Sequence, residues 1–333
     1  MEHWIGIDVS KATLDFALRG KQGELLEHVC VANERKAVLG LFKRWKNLFK
    51  LDMTRCLLCL EHTGHYSRML LELVVLQRWA AWVANPLDIQ QSLGMQRGKR
   101  DKVDAQRIAE YARLFHHKAR LFHAGYLKLE RLKQLLARRE FLVRDRGRNK
   151  AHVTDLNRYA DRALQAEFDR MDQQVQRLLD KQIARVDELI TAEVRSNPEI
   201  AKQHELLRSV PGVGEQLACH LLAVTDGFQR YNDPKALACH AGCAPFEYSS
   251  GSSVRGRNRV SHRANKRLKC LLHMGAMRAV RMAGELQEYY QRKLAEGKKP
   301  LLVLNAVRNK LIHRVCAVLR RNEPYTTNHL QLS

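Results

Sequence analysis

Short apolar runs broken by turn residues open the chain. "HWIGIDVSKATLDFALRGKQGELLEHVCVAN", from His3 to Asn33, reads as three strands, with turns at Ser10-Lys11 and at "RGKQGE". Asn33 is placed to cap a helix running through "RKAVLGLFKRWKNLF". "TRCLLCLEHTG" is another apolar run, stopped by Glu61 and Gly64. A helix through "YSRMLLELVVLQR" follows, and "WAAWVANP" is a further strand ended by Pro86. An initial meander followed by alternating strands and helices predicts an α/β domain whose mixed sheet is covered by helices. From Leu87 onward the pattern is helical, which puts Asp101 and Asp104 at or near a helix start. Three residues apart on a helix, they face the same way.

The period changes near Tyr126. Leu129, Leu132 and Leu136, then Val175, Leu178, Leu179, Ile183, Val186 and Ile190, recur at helical spacing with charges between them. The pattern predicts two long helices, a coiled-coil hairpin or dimerisation arm, with a plain helical linker as the simpler alternative. Asn197-Pro198 breaks it, and a mostly helical domain follows. The sequence therefore divides into an α/β domain (1–122), a helical arm (123–197) and a helical domain (198–333). In the last, "PGVG" between two apolar helical runs has the form of a helix-hairpin-helix. Gly212 and Gly214 there would let backbone N–H groups approach a phosphate, or serve only as a turn. Ser249 to Ser253 form a small-residue loop, flanked by Arg255, Arg257, Arg259, Arg263, Lys266, Arg267 and Lys269.

Charge sharpens this picture. The 333 residues carry 58 Lys plus Arg against 35 Asp plus Glu, a formal net charge of +23. Such an excess attracts a polyanion, with nucleic acid the default partner. A membrane surface is the competitor, but there is no long uncharged apolar run to span a bilayer. The beginning, "MEHWIGIDVSK", does not read as a signal peptide, so a cytoplasmic, nucleoid-associated protein is expected. The eight cysteines then read as reduced thiols. Cys56 and Cys59 fall in a buried strand. Cys219-His220, Cys239-His240 and Cys243 match no familiar zinc spacing and read as core residues.

Four acids stand out by position. Asp8 interrupts the first apolar strand, where a charge is expensive unless paired or coordinated. Glu61 ends the "CLLCLE" strand, and Asp101 and Asp104 share a helix face. If the first strand lies mid-sheet beside the "CLLCLE" strand, all four converge at one sheet edge. A set of oxygen ligands there suits Mg²⁺ or Mn²⁺, and a pair of such ions activates a nucleophile and stabilises a leaving oxygen in phosphoryl transfer. Singly, each acid is as well explained by a turn, a helix N-terminus or a local ion pair. Asp15, Asp88 and Asp145 sit in ordinary polar or turn-like contexts. Lys99 and Arg100 either meet the scissile phosphate or balance the acids, and the C-terminal basic residues suit backbone phosphates.

"IGIDVSK", "LEHTGHY", "ANP" and "GKRDKVDAQRIA" resemble the N-terminal domain of the DEDD transposases, the one-ten family of bacterial insertion sequences. "PGVG", "HAGCAPFEYSSGSSVRGR" and "SHRANKRLKCLLHMGA" resemble its C-terminal transposase domain. The resemblance spans nearly the whole chain, and pilin-gene invertases belong to the same wider group. It implies a RuvC-like, ribonuclease H-type first domain whose D-E-D-D set is Asp8, Glu61, Asp101 and Asp104. It implies a nucleophilic serine in the family's Ser-Gly motif, which falls on Ser250 before Gly251. It further implies a structured non-coding guide, the bridge RNA, pairing with donor and target DNA.

On that reading the four acids hold metals that activate Ser250, and attack joins DNA covalently to the serine. Ser250 is remote in sequence from the acids, so the site is expected to form between domains or protomers, in a dimer that assembles to a tetramer. A junction-resolving endonuclease using water, a site-specific invertase, and a non-catalytic nucleic-acid-binding protein are the alternatives.

Overall fold

The computed structural model describes residues 1–61, 64–92, 101–122, 129–156, 161–231, 233–244, 249–250, 254–255 and 264–326. The chain divides into two compact units, Met1–Leu127 and Lys128–Ser333.

The first unit is built on a five-stranded mixed sheet: β1 (His3–Val9), β2 (Thr13–Arg19), β3 (Leu25–Ala32), β4 (Cys56–Glu61) and β5 (Ala81–Ala84). Their spatial order is β3-β2-β1-β4-β5. The first three form the expected antiparallel meander, and β4 and β5 run parallel to β1. β1 is thus the central strand, with β4, the "CLLCLE" strand, beside it.

Strand alternation sends alternate side chains to two faces. Ile5, Ile7, Leu14, Phe16, Leu58 and Leu60 pack under helices α1 (Arg35–Leu48) and α2 (Arg68–Leu76), against Phe42, Trp45 and Leu73. Trp4, Leu57 and Cys59 turn to the opposite face. There they meet Ile108, Tyr111 and Ala112 of α4 (Asp101–Phe115), which follows the short α3 (Pro86–Ser92). Cys56 and Cys59 belong to these two different layers, so their CxxC spacing brings no thiol pair together.

The contact between α4 and the sheet is unusually close. Ala17, Ala105 and Ala109 form its seam. A Cβ at Gly6 would lie 2.1 Å from the Ala105 carbonyl oxygen and 2.2 Å from the Ala109 nitrogen. Only glycine lets the helix backbone rest on β1.

One expectation fails here. Asn33 does not cap α1; Glu34 occupies that position without a side-chain cap. Asn33 instead donates through Nδ2 to the carbonyls of Ser10 and Tyr66, both at 3.0 Å. It ties the β1–β2 turn to the segment leading into α2.

The second unit is helical. It comprises α5 (Glu130–Leu156), α6 (Arg162–Arg195), α7 (Pro198–Ser209), α8 (Glu215–Thr225) and α9 (Pro234–His240). A two-stranded ribbon follows, β6 (Ser249–Ser250) with β7 (Val254–Arg255), then α10 (Lys266–Ala279), α11 (Glu285–Ala295) and α12 (Pro300–Arg321). α5 and α6 are the two long helices expected. They are antiparallel: Arg131 pairs with Glu193 (3.0 Å), Arg139 with Asp187 (2.6 Å) and Arg146 with Asp180 (2.8 Å).

Asn197 ends this hairpin as the sequence suggests. Its side-chain oxygen accepts from Glu199 N and Ile200 N, and Pro198 takes the first helical position, where a missing N–H costs nothing. Yet residue 197 is no boundary in packing. Leu132, Leu136, Ile183 and Ile190 of the hairpin share one core with Leu207, Leu222, Leu272 and Leu311. Further along α6, Leu164, Phe168, Met171, Val175 and Leu178 recur at four- and three-residue steps and are exposed. Among the described residues, no helix is long and apolar enough to cross a membrane.

Candidate active site and nucleic-acid contacts

The acids are placed by strand register. β1 and β4 pair in parallel up to Ile7 opposite Leu60, so the next residues along, Asp8 and Glu61, lie side by side at the same end of neighbouring strands. Adjacent strands lie about 4.8 Å apart. Alternation puts Asp8 on the face of Gly6, and Glu61 on that of Cys59, which is the α4 face. Burial pushes the Cys59 thiol up, and the nearby Glu61 carboxylate adds to the effect.

α4 brings the other pair. Ala105 and Ala109 sit over Gly6, and Trp4 meets His116, just past the end of α4, so the first turn of α4 lies toward the Asp8 end of β1. Asp101 opens that turn, at the helix start expected from sequence. Asp104 follows one turn later with its side chain 26% exposed, accepting from Arg107 Nη1 at 3.1 Å. The central β1, its parallel neighbour β4 and the N-terminal turn of α4 thus bring all four acidic positions to one end of one sheet face.

A fifth carboxylate joins them. Asp15 lies directly opposite Asp8 in the β1–β2 register and is buried, its Oδ1 3.0 Å from His28 Nε2. Its context in sequence is ordinary. The available signal was strand alternation: Leu14, Phe16 and Leu18 face α1, so Asp15 and Ala17 must face α4. Carboxylates sharing one end of a sheet face repel one another unless cations or donors balance them, and among the described residues no three of these acids bring their oxygens within 4.8 Å of one another. Arg107 and His28 supply part of that balance. The donors are all hard oxygens, the ligand type that fits Mg²⁺ or Mn²⁺.

The C-terminal expectations meet a different setting. Ser250 is in β6, paired with Val254 of β7, and Ser249 is paired with Arg255. Ser249 and Ser250 are therefore in a paired strand, where the sequence suggested a loop from Ser249 to Ser253. Gly212 has a packing reason to be glycine. With φ of 92°, its Cβ would lie 2.6 Å from the Gly275 carbonyl oxygen of α10 and 2.8 Å from Ala279 Cβ. Gly214 is the N-cap of α8, and a side chain there would meet open space. Lys266 is exposed at the start of α10, while Arg267 turns its guanidinium to Glu140 of α5 at 3.6 Å. Lys99, Arg100, Gly251, Arg257, Arg259 and Arg263 lie outside the described residues.

Cys219 and Cys243 are core residues. His220 donates from Nδ1 to the Gln216 carbonyl (2.8 Å), and His240 stacks on Tyr231 with centroids 5.0 Å apart.

Comparison with known proteins agrees with this architecture. Residues 5–159 match the DEDD transposase model of the IS110 type. Residues 204–291 match the "Transposase IS116/IS110/IS902 family". The chain is 26% identical to the pilin gene-inverting protein of Moraxella lacunata over 332 residues, 97% of each chain. The Moraxella bovis counterpart matches to the same extent. An uncharacterized 44.8 kDa protein of insertion element IS116 from Streptomyces clavuligerus is 30% identical over 134 residues, 40% of this chain and 33% of that one. The first matched segment contains Asp8, Glu61, Asp101 and Asp104. The chain belongs to the IS110/IS116 family of DEDD transposases.

Proposed function

We propose that this DNA recombinase cuts and rejoins DNA strands through a covalent bond to Ser250, at a metal site made by Asp8, Glu61, Asp101 and Asp104. The observation that carries the reading is the strand register, which supports the first two acids as neighbours beneath α4, where the other two begin the helix. Mg²⁺ or Mn²⁺ bound there would neutralise phosphate charge and lower the proton affinity of an oxygen nucleophile. The acids' own part is to hold position and charge. Asp15, hydrogen-bonded with His28, restrains the Asp8 side of the cluster.

The chemistry of Ser250 is phosphoryl transfer. Its Oγ bonds to phosphorus and loses a proton, while the bond from phosphorus to one sugar oxygen breaks and that oxygen gains a proton. The phosphodiester energy is kept in the serine ester. A hydroxyl of a second strand then displaces the serine by the reverse step. A charge of +23 suits donor and target DNA together with a bridge RNA that pairs with both. The exposed apolar stripe from Leu164 to Leu178 suits pairing of two copies into a dimer, which assembles further to a tetramer. Site-specific inversion is the second reading, favoured by the full-length match to two pilin gene-inverting proteins.

The test is a trapping experiment with protein, Mg²⁺, donor and target DNA, and RNA transcribed from the flank of the element. After denaturation and digestion, mass spectrometry is expected to find a nucleotide adduct on the peptide containing Ser250. The adduct should vanish in Ser250→Ala and in Asp8→Asn. Cleavage without an adduct would make water the nucleophile and overturn the serine reading. Substrates carrying sites in inverted orientation distinguish inversion from transfer between molecules.

A further inference from the structure

We infer that His204, Glu215 and Cys219 form a binding site for a borderline-soft divalent ion of the zinc type, separate from the carboxylate centre. The three residues come from α7 and α8, on either side of the Gly212–Gly214 turn. Glu215 and Cys219 are four residues apart in α8 and so share a face. His204 faces them from α7. His204 Nε2 lies 3.0 Å from Glu215 Oε1, Cys219 Sγ lies 3.7 Å from the same oxygen, and all three ligand atoms fall within 4.8 Å of one another. Among the described residues, no other group of three His, Cys, Asp or Glu converges this way.

Three details favour an ion over a simple ion pair. First, His204 Nε2 is buried, and its 3.0 Å pairing with Glu215 Oε1 is poorly aligned for a hydrogen bond. Groups that ligate a common centre behave in this way. They approach one another at about 3–4 Å, the edge of a tetrahedron with bonds of about 2.0–2.3 Å, yet aim their lone pairs at the middle. Second, the Glu215 carboxylate is divided. Oε1 faces the imidazole and thiol, while Oε2 takes the Arg208 guanidinium. Outer partners of this kind orient ligating carboxylates. Third, a cleft of about 320 Å³ lined by His204, Glu205, Arg208 and Glu215 opens beside the cluster. It gives an ion a route in and leaves space for a water as fourth ligand.

The donor set of imidazole, carboxylate and thiol differs in kind from the all-oxygen centre of the first unit, and selects zinc-like ions over Mg²⁺. Its effect is structural. An ion there clamps α7 to α8 and fixes the glycine turn between them.

The experiment uses Co²⁺ as a spectroscopic probe on the full chain, stripped with EDTA under reducing conditions. The expected result is one Co²⁺ per chain giving a thiolate-to-cobalt charge-transfer band, displaced by Zn²⁺. An oxygen-only site produces no such band, so Co²⁺ at the acids does not confuse the reading. The band should be lost in His204→Gln and Cys219→Ala and kept in Cys243→Ala. Since Cys219 is a core residue, His204→Gln guards against misfolding. Its thermal midpoint in EDTA should match that of the stripped wild-type chain, and Zn²⁺ should raise the wild-type midpoint alone. Absence of the band in wild type, or its persistence in His204→Gln or Cys219→Ala, overturns the site. The readout is binding, so the result is independent of whether Ser250 or water attacks DNA.

Discussion

Gly6→Ala adds one methyl group where α4 rests on β1. The new Cβ would stand 2.1 Å from the Ala105 carbonyl oxygen, against the roughly 3.4 Å of ordinary contact, so the helix must withdraw by about 1.3 Å. Both neighbours are backbone, and no flexible side chain can yield in their place. Overpacking of this kind costs about 1–3 kcal/mol. The larger effect falls on activity. α4 carries Asp101 and Asp104, and β1 carries Asp8, so withdrawal separates the two halves of the acid cluster. A misplacement of about 1 Å lowers rates by roughly 100-fold. The assay compares Mg²⁺-dependent cleavage by Gly6→Ala with that by Gly40→Ala, whose added methyl on α1 meets nothing within 4 Å. The control should keep full activity and gain up to about 1 kcal/mol in urea unfolding. Wild-type cleavage and stability in Gly6→Ala would refute both the close seam and its role in assembling the acids.

Asp8→Asn, Glu61→Gln and Asp104→Asn should each abolish cleavage while changing DNA affinity less than about threefold by gel shift, since phosphate contact is carried by the basic residues. A variant that still cleaves removes its residue from the site. In the helical hairpin, Ile190 is 1% exposed, so Ile190→Ala should cost about 2–5 kcal/mol in urea unfolding. Met171 is 55% exposed, and Met171→Ala should cost less than about 0.5 kcal/mol; equal costs would contradict the burial pattern. Burial lowers the pKa of His220 and His240 from the ordinary 6.5. The unfolded chain then binds more protons than the folded one below that value. Stability should be complete above about pH 6.5 and fall at up to about 1.4 kcal/mol per pH unit for each histidine as the pH drops toward the folded pKa. A thermal midpoint in EDTA that does not change between pH 7 and 5.5 would contradict this.

The first unit was largely legible in the sequence because its signals are local. Apolar runs gave β1 to β5, and Pro86 marked the end of β5. A charge inside an apolar strand marked Asp8. Asp15 was missed because its meaning depends on register: only pairing with β1 sets it opposite Asp8. Asn33 has a good capping residue's chemistry, but two carbonyls from distant turns compete for its amide and win. In the second unit, the helical period revealed the hairpin but not where it is buried. The shared core depends on which turns of α5 and α6 meet Leu207 and Leu311, and periodicity is blind to that. The His204, Glu215 and Cys219 cluster escaped for the same reason: its members are separated by a turn, and no familiar zinc spacing joins them.

The seam at Gly6 also bears on timing. The acids come from β1, β4 and α4, so no contiguous stretch of chain contains the complete set. During synthesis, the strands carrying Asp8 and Glu61 leave the ribosome well before α4 does. Until α4 docks on Gly6, two of the four acids are not in place. On the proposed reading, a partly unfolded chain keeps its full positive charge and adheres to DNA, yet lacks the means to cut it. If these acids are the cutting centre, as proposed, any condition that loosens the contact at Gly6 disarms the enzyme before it unfolds.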